Sequence, residues 1–161
     1  MVFMLVALIG LLAAIGAAVW FAADARRRRA PAPRAGAIDL CCGLLTLSFM
    51  TLHLAAVLGH IFSGRGFGGE ARFAYDFRFF WLILLGGVIS VPGFVFVMQA
   101  RRLTDGDVMA WKRALWAGGF LLVLSVSLVH RDAIALNTTL LATINLVSLW
   151  AGRKQVGTAA T

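Results

Sequence analysis

The sequence predicts an all-α integral membrane protein, a small bundle of five transmembrane helices. Three observations predict it. The chain has 161 residues, 61% of them hydrophobic, and a mean hydropathy of +0.89, too apolar for a soluble domain of that length. Only 14% of residues are charged, and they fall in clusters. Between the clusters lie runs close to the roughly 20 apolar residues that a helix needs to cross a bilayer.

The net charge of +8 does not point to nucleic acid. The basic residues cap hydrophobic runs, as orientation signals do, and form no stripe beside soluble aromatic surface. The expected partners are membrane lipid and other membrane-protein subunits. Arg outnumbers Lys thirteen to two, and Ala and Gly abound. That composition fits a GC-rich bacterial genome, so the expected location is a bacterial inner membrane, cytoplasmic or intracytoplasmic.

Span one is expected over residues 2–23. The basic run Arg26 to Arg29 follows it instead of preceding it. A secretory signal has the reverse order, so the segment reads as an uncleaved anchor. Ala7, Gly10, Ala14 and Ala17 recur at steps of three and four. They place small residues on one face, where another helix can approach closely.

The next segment, RRRRAPAPRAGA, carries Pro31 and Pro33 and is expected to be a non-helical linker. Span two is expected over residues 38–62, with Asp39 at its start as a cap for exposed N–H groups. It contains His53 and His60. The glycine-rich stretch Ser63 to Gly69 lacks a phosphate-binding GKS or GKT signature and reads as a turn.

Span three is expected over residues 77–99, after a cluster of aromatic residues of the kind that collects at membrane interfaces. Gly86, Ser90 and Gly93 form a small-residue seam, and Pro92 is expected to bend the helix. Arg101 to Arg113 reads as a polar loop, with Asp105-Gly106-Asp107 as a turn. Spans four and five are expected over residues 114–129 and 133–150. Only His130-Arg131-Asp132 separates them, so a tight helical hairpin is required. The tail over residues 151–161 is short and polar, and the whole chain reads as one polytopic domain.

Charge counting sets the orientation. With the N-terminus outside, in the periplasm, and five spans, eleven basic residues fall on the cytoplasmic side, as does the C-terminus. Arg65, Arg72, Arg78 and Arg131, four in all, fall outside. Short loops rich in Lys and Arg stay in the cytoplasm. A four-span arrangement would need span five to lie flat or re-enter, against its apolar length.

Few residues offer chemistry. His53 and His60 are seven apart, about 700° of helix and roughly 10.5 Å of rise. They share a face, but one metal ion cannot bind both. His60 and His130 both lie near the outer ends of their spans. An axial pair from two helices is how a bundle clamps a b-type haem, so these two are the candidate ligands of haem b or of a (bacterio)chlorophyll-type pigment. His53 lies deeper, with Asn145 as a candidate hydrogen-bond partner. The bland alternative makes all three histidines interhelical polar contacts or solvated turn residues.

Proton or ion transport wants buried carboxylates, and by this reading all seven acidic residues sit at span ends or in loops. No GxSxG or HExxH occurs, and no enzyme is expected. Adjacent Cys41 and Cys42 read as packing residues. The stretch EARFAYDFR pairs Arg72 with Asp76 at helical spacing and adds Tyr75 and Arg78. These are residue types enriched at interfaces, so they form a candidate docking surface.

The leading expectation is an auxiliary or assembly subunit of a larger energy-transducing membrane complex, respiratory or photosynthetic. It would act by helix packing with lipid, quinone or pigment contacts. A b-type haem protein moving electrons through His60 and His130 is the alternative, and a small channel or transporter the third reading.

Overall fold

The computed structural model describes the backbone of residues 2–62, 72–128 and 133–153, and the side chains of residues 5–59, 83–127 and 136–153. These residues form five helices: α1 (Val2–Arg27), α2 (Pro33–Phe62), α3 (Arg72–Thr104), α4 (Val108–Leu128) and α5 (Ala133–Gly152). Four segments, Leu5–Arg27, Pro33–Gly59, Ile83–Thr104 and Val108–Ser127, are long and apolar enough to cross a membrane. The chain therefore reads as a multi-pass membrane protein in contact with lipid.

The helices run further than the apolar runs alone predict, chiefly at their charged ends. The segment with Pro31 and Pro33 is the clearest correction. It is not a non-helical linker throughout, because α2 begins at Pro33. Proline suits the first helical position, where its missing N–H would have had no partner anyway. The carbonyl of Ala32 accepts from the N–H of Gly36, closing the first turn. Likewise, the expected loop from Arg101 to Arg113 shrinks to a tight turn, since α3 continues to Thr104 and α4 starts at Val108.

Two of the helices stop in the same way. At the end of α1, the N–H of Ala30 donates to Ala25 and that of Arg29 to Arg26. At the end of α3, Asp107 donates to Arg102 and Gly106 to Leu103. Both are Schellman closures, which need a left-handed residue just past the helix. Gly106 takes that place in α3 with φ 80°, while Arg29 takes it in α1 with φ 55°. Asp107 then caps α4, its side chain accepting from the N–H of Met109 at 2.8 Å.

Helices α2 to α5 pack in a ring, α2 on α3, α3 on α4, α4 on α5 and α5 back on α2, and α1 lies outside against α2. Glycines set the α2–α3 distance. A Cβ on Gly36 would overlap the carbonyl of Ala100 and the side chain of Thr104, and one on Gly43 would come within 2.8 Å of the Gly93 carbonyl. Residues 36 and 43 on α2, and 86, 93 and 100 on α3, are seven positions apart within each helix, the spacing of helices packed side by side over a long seam. The larger core cluster joins Ala14, Cys42, Leu45, Met50, Ile89, Phe96, Leu121, Leu141 and Ala142. A second, built mostly from alanines, joins Ala32, Ala35, Leu103, Ala110, Ala114 and Leu149.

That second cluster marks one end of the bundle. The N–H of Ala32 donates to Thr104, the indole of Trp111 donates to the Leu149 carbonyl at 3.1 Å, and Gly152 sits against Ala35. The end of α1, start of α2, end of α3, start of α4 and end of α5 are thus gathered together. Arg26 to Arg29, Arg34, Arg101, Arg102, Lys112, Arg113 and Arg153 surround this end, all exposed.

Candidate functional site

Inside this basic end, the described residues hold one buried acid, Asp39. The early start of α2 puts it in the second turn, about 9 Å along the helix from Pro33. It therefore does not cap the helix, and it does not lie at a span end as expected from the sequence. It stands on the stripe between Gly36 and Gly43, where the missing side chains let α3 close over it. The result is a carboxyl group with 0% exposure.

Asn145 reaches it from α5. Its Nδ2 donates to Asp39 Oδ1 at 2.7 Å, across 106 residues of sequence. Asn145 is also fully buried, on a stripe with Thr138, Leu141, Ala142 and Leu149. On α4, Gly118 makes room for it: a Cβ there would lie 3.3 Å from Asn145 Oδ1 and 2.9 Å from Leu146 Cδ2. The pair therefore has a purpose-built setting, with glycines on α2 and α4 admitting the two polar side chains.

The site is incompletely paired. Asp39 Oδ2, Asn145 Oδ1 and Gln99 Oε1 are buried and lack a hydrogen-bond partner. Gln99 belongs to the same level. Gly36 meets Ala100 and Thr104, and Gly43 meets Gly93 and Phe96, so the antiparallel register sets Asp39 opposite residues near 99. The nearby hydroxyls are turned back on their own helices. Thr46 donates to Cys42 and Ser125 to Leu121. Cys41 and Cys42 are free, and Cys42 is buried in the core.

The histidines occupy other places. His53 is half-buried on α2, its ring 3.6 Å from where a Cβ on Gly86 would stand. It lies about 21 Å along the helix from Asp39, so Asn145 is committed to Asp39 and not to His53. His60 is in the last turn of α2, but its side chain and the whole of His130 lie outside the described residues. So does any haem or pigment site that the two would form. Arg72, Tyr75, Asp76 and Arg78 fall in the first turns of α3, with side chains outside the described residues.

The small-residue positions are placed more fully. Ala14 is buried in the main core, Ala7 is half-buried, and Gly10 is half-buried opposite Ser48 of α2, at 3.6 Å for a Cβ. Gly86 and Gly93 are buried against α2, and the Ser90 hydroxyl donates to the Gly86 carbonyl at 2.7 Å.

The arrangement can hold α2 to α5 and can place one carboxyl group in a region of low dielectric. No protein family, no curated protein and no solved structure matches this chain.

Proposed function

We propose that this protein is a packing subunit of a larger membrane assembly. In this reading it is a five-span protein of a bacterial inner membrane, with its N-terminus in the periplasm and its basic end in the cytoplasm. The assembly is of the energy-transducing kind that the histidine-bearing α2 would suit. The observation that carries the reading is the attachment of α1. This helix of 26 residues meets the bundle chiefly through small side chains, with Ala14, Ala18 and Ala25 buried and Phe21 half-buried. Most of its large side chains, Leu8, Leu12, Val19 and Trp20 among them, are exposed. A helix held by a line of small residues leaves most of its circumference for lipid or for helices of another chain. The bundle itself is closed by glycine contacts between α2 and α3 and by the hydrogen bond from Asn145 of α5 to Asp39 of α2.

Photo-crosslinking in native membranes tests the proposal. A crosslinking amino acid at Leu12 or Val19 is expected to give one discrete protein adduct at high yield, with the same partner retained in native mass spectrometry after gentle extraction. Adducts to lipid alone, together with a protein that extracts quantitatively as a free monomer, would overturn it.

A further inference from the structure

The three unpartnered oxygens at the basic end share a chemical need. Asp39 Oδ2, Asn145 Oδ1 and Gln99 Oε1 are all acceptors, and each is buried without a donor. Buried acceptors in folded proteins are almost always satisfied, by protein, water or an ion. A carboxylate in a low-dielectric interior also needs a compensating positive charge. Among the described residues there is none. The described arginines and lysines are exposed, and Asp39 forms no salt bridge among the described residues, whose only ion pairs join Arg28 to Asp24 and Asp105.

The buried residues described at this end of the neighbouring helices carry no charge: Phe96 and Leu103 on α3, Gly118 and Leu121 on α4, and Ala142, Asn145 and Leu149 on α5. The nearest titratable neighbours on α2 itself are the thiols of Cys41 and Cys42, and the other buried polar side chains, Thr46, Thr104, Ser125 and Thr138, carry no charge. One uncompensated carboxyl group, hydrogen-bonded on one oxygen and bare on the other, calls for a single positive charge. A divalent ion would leave an excess charge here, and transition metals prefer imidazole or thiolate donors over this all-oxygen set.

We propose that Asp39, with Asn145 and Gln99, forms a buried site for one exchangeable positive charge, a proton or an alkali-metal cation. Asn145 holds the carboxyl group in place by donating from Nδ2 to Asp39 Oδ1, and the amide oxygens of Asn145 and Gln99 receive the occupant beside Asp39 Oδ2. The site lies toward the basic end of the bundle, about 9 Å of helix from Pro33. This assignment does not depend on the packing-subunit reading, because it concerns the isolated chain.

Two measurements on the wild-type protein in nanodiscs test it. The first is thermal unfolding in NaCl against N-methylglucamine chloride at equal ionic strength. A bound sodium ion raises the melting temperature by about 3–5 °C at tenfold its dissociation constant, and Asp39→Asn abolishes the rise. The second is infrared difference spectroscopy. A bound proton gives the carbonyl band of a neutral carboxyl group, shifted in heavy water and missing from Asp39→Asn. Either result supports the site and says which cation fills it. A wild-type protein with no sodium response and no neutral-carboxyl band overturns the proposal. Asn145→Ala, which keeps the carboxyl group, gives a second check: the sodium response should weaken at least several-fold, and an unchanged response removes Asn145 from the site.

Discussion

Asn145 Nδ2 lies 2.7 Å from Asp39 Oδ1, and this hydrogen bond closes the helix ring by joining its first helix, α2, to its last, α5. Both partners are fully buried, so removing either leaves the other stranded. Leaving a buried acceptor unsatisfied costs about 1–3 kcal/mol. Asn145→Ala and Asp39→Ala are each expected to lose stability in that range. The double variant should lose less than the sum, since interacting pairs are not additive. Reversible denaturation in mixed detergent micelles measures all four corners of the cycle. Additive losses would mean that the contact contributes nothing.

The glycines divide by what faces them. A Cβ at Gly36 overlaps Ala100 and Thr104, and one at Gly43 meets Gly93, Val97 and Phe96 within 3.0 Å, whereas Gly16, Gly87 and Gly119 have nothing within 4 Å. Gly36→Ala and Gly43→Ala are expected to push α2 off α3 and to destabilise by about 1–3 kcal/mol, as overpacking does. Gly16→Ala and Gly87→Ala should be neutral or stabilising, by up to about 1 kcal/mol, through a better helix propensity. Equal effects in the two groups would contradict the close α2–α3 seam.

The existence of the helices was legible because a run of apolar residues long enough for a bilayer is a one-dimensional signal. The small-residue positions Gly86 and Gly93 were visible for the same reason: their spacing alone puts them on one face. Asp39 was not legible. Pro31 and Pro33 suggested a linker, which moved the start of α2 toward Asp39 and made the carboxyl group look like a cap. Only the placement of Pro33 at the first helical position carries Asp39 into the second turn. Its pairing depends in addition on which face of α2 meets α5, which no local pattern encodes. The histidines drew attention by their rarity, but their chemistry turns on the far ends of α2 and α4, and His53 proves to lie against Gly86, remote from Asn145.

The two Schellman closures differ in one residue, and that difference has a consequence. Gly106 accepts a left-handed backbone without strain, while Arg29 holds φ 55° with a side chain attached. A non-glycine residue in that conformation loses roughly 1 kcal/mol or more. Arg29→Gly is therefore expected to stabilise by several tenths to about 1 kcal/mol, and Gly106→Ala to destabilise by a similar amount. By contrast, Asp24→Asn, which breaks an exposed pair with Arg28 at 2.9 Å, should change stability by no more than about 1 kcal/mol and less in high salt. Thermal melts of the three variants at low and high salt separate backbone strain from surface charge.

The last prediction concerns how many times the chain crosses the membrane. The end of α5 returns to the basic end, where Trp111 Nε1 donates to the Leu149 carbonyl and Gly152 rests on Ala35. Its 20 residues correspond to about 30 Å of helix, the thickness of a bilayer core. If α5 crosses, a fusion made after Gly152 and one made in the turn at Gly106 must report the same side. In the proposed orientation this basic end is cytoplasmic. Green fluorescent protein should fluoresce at both positions, and alkaline phosphatase should be inactive at both. Were α5 to lie flat or re-enter, the fusion after Gly152 would report the opposite side from the one at Gly106. Phosphatase activity at both positions would keep five crossings but invert the orientation.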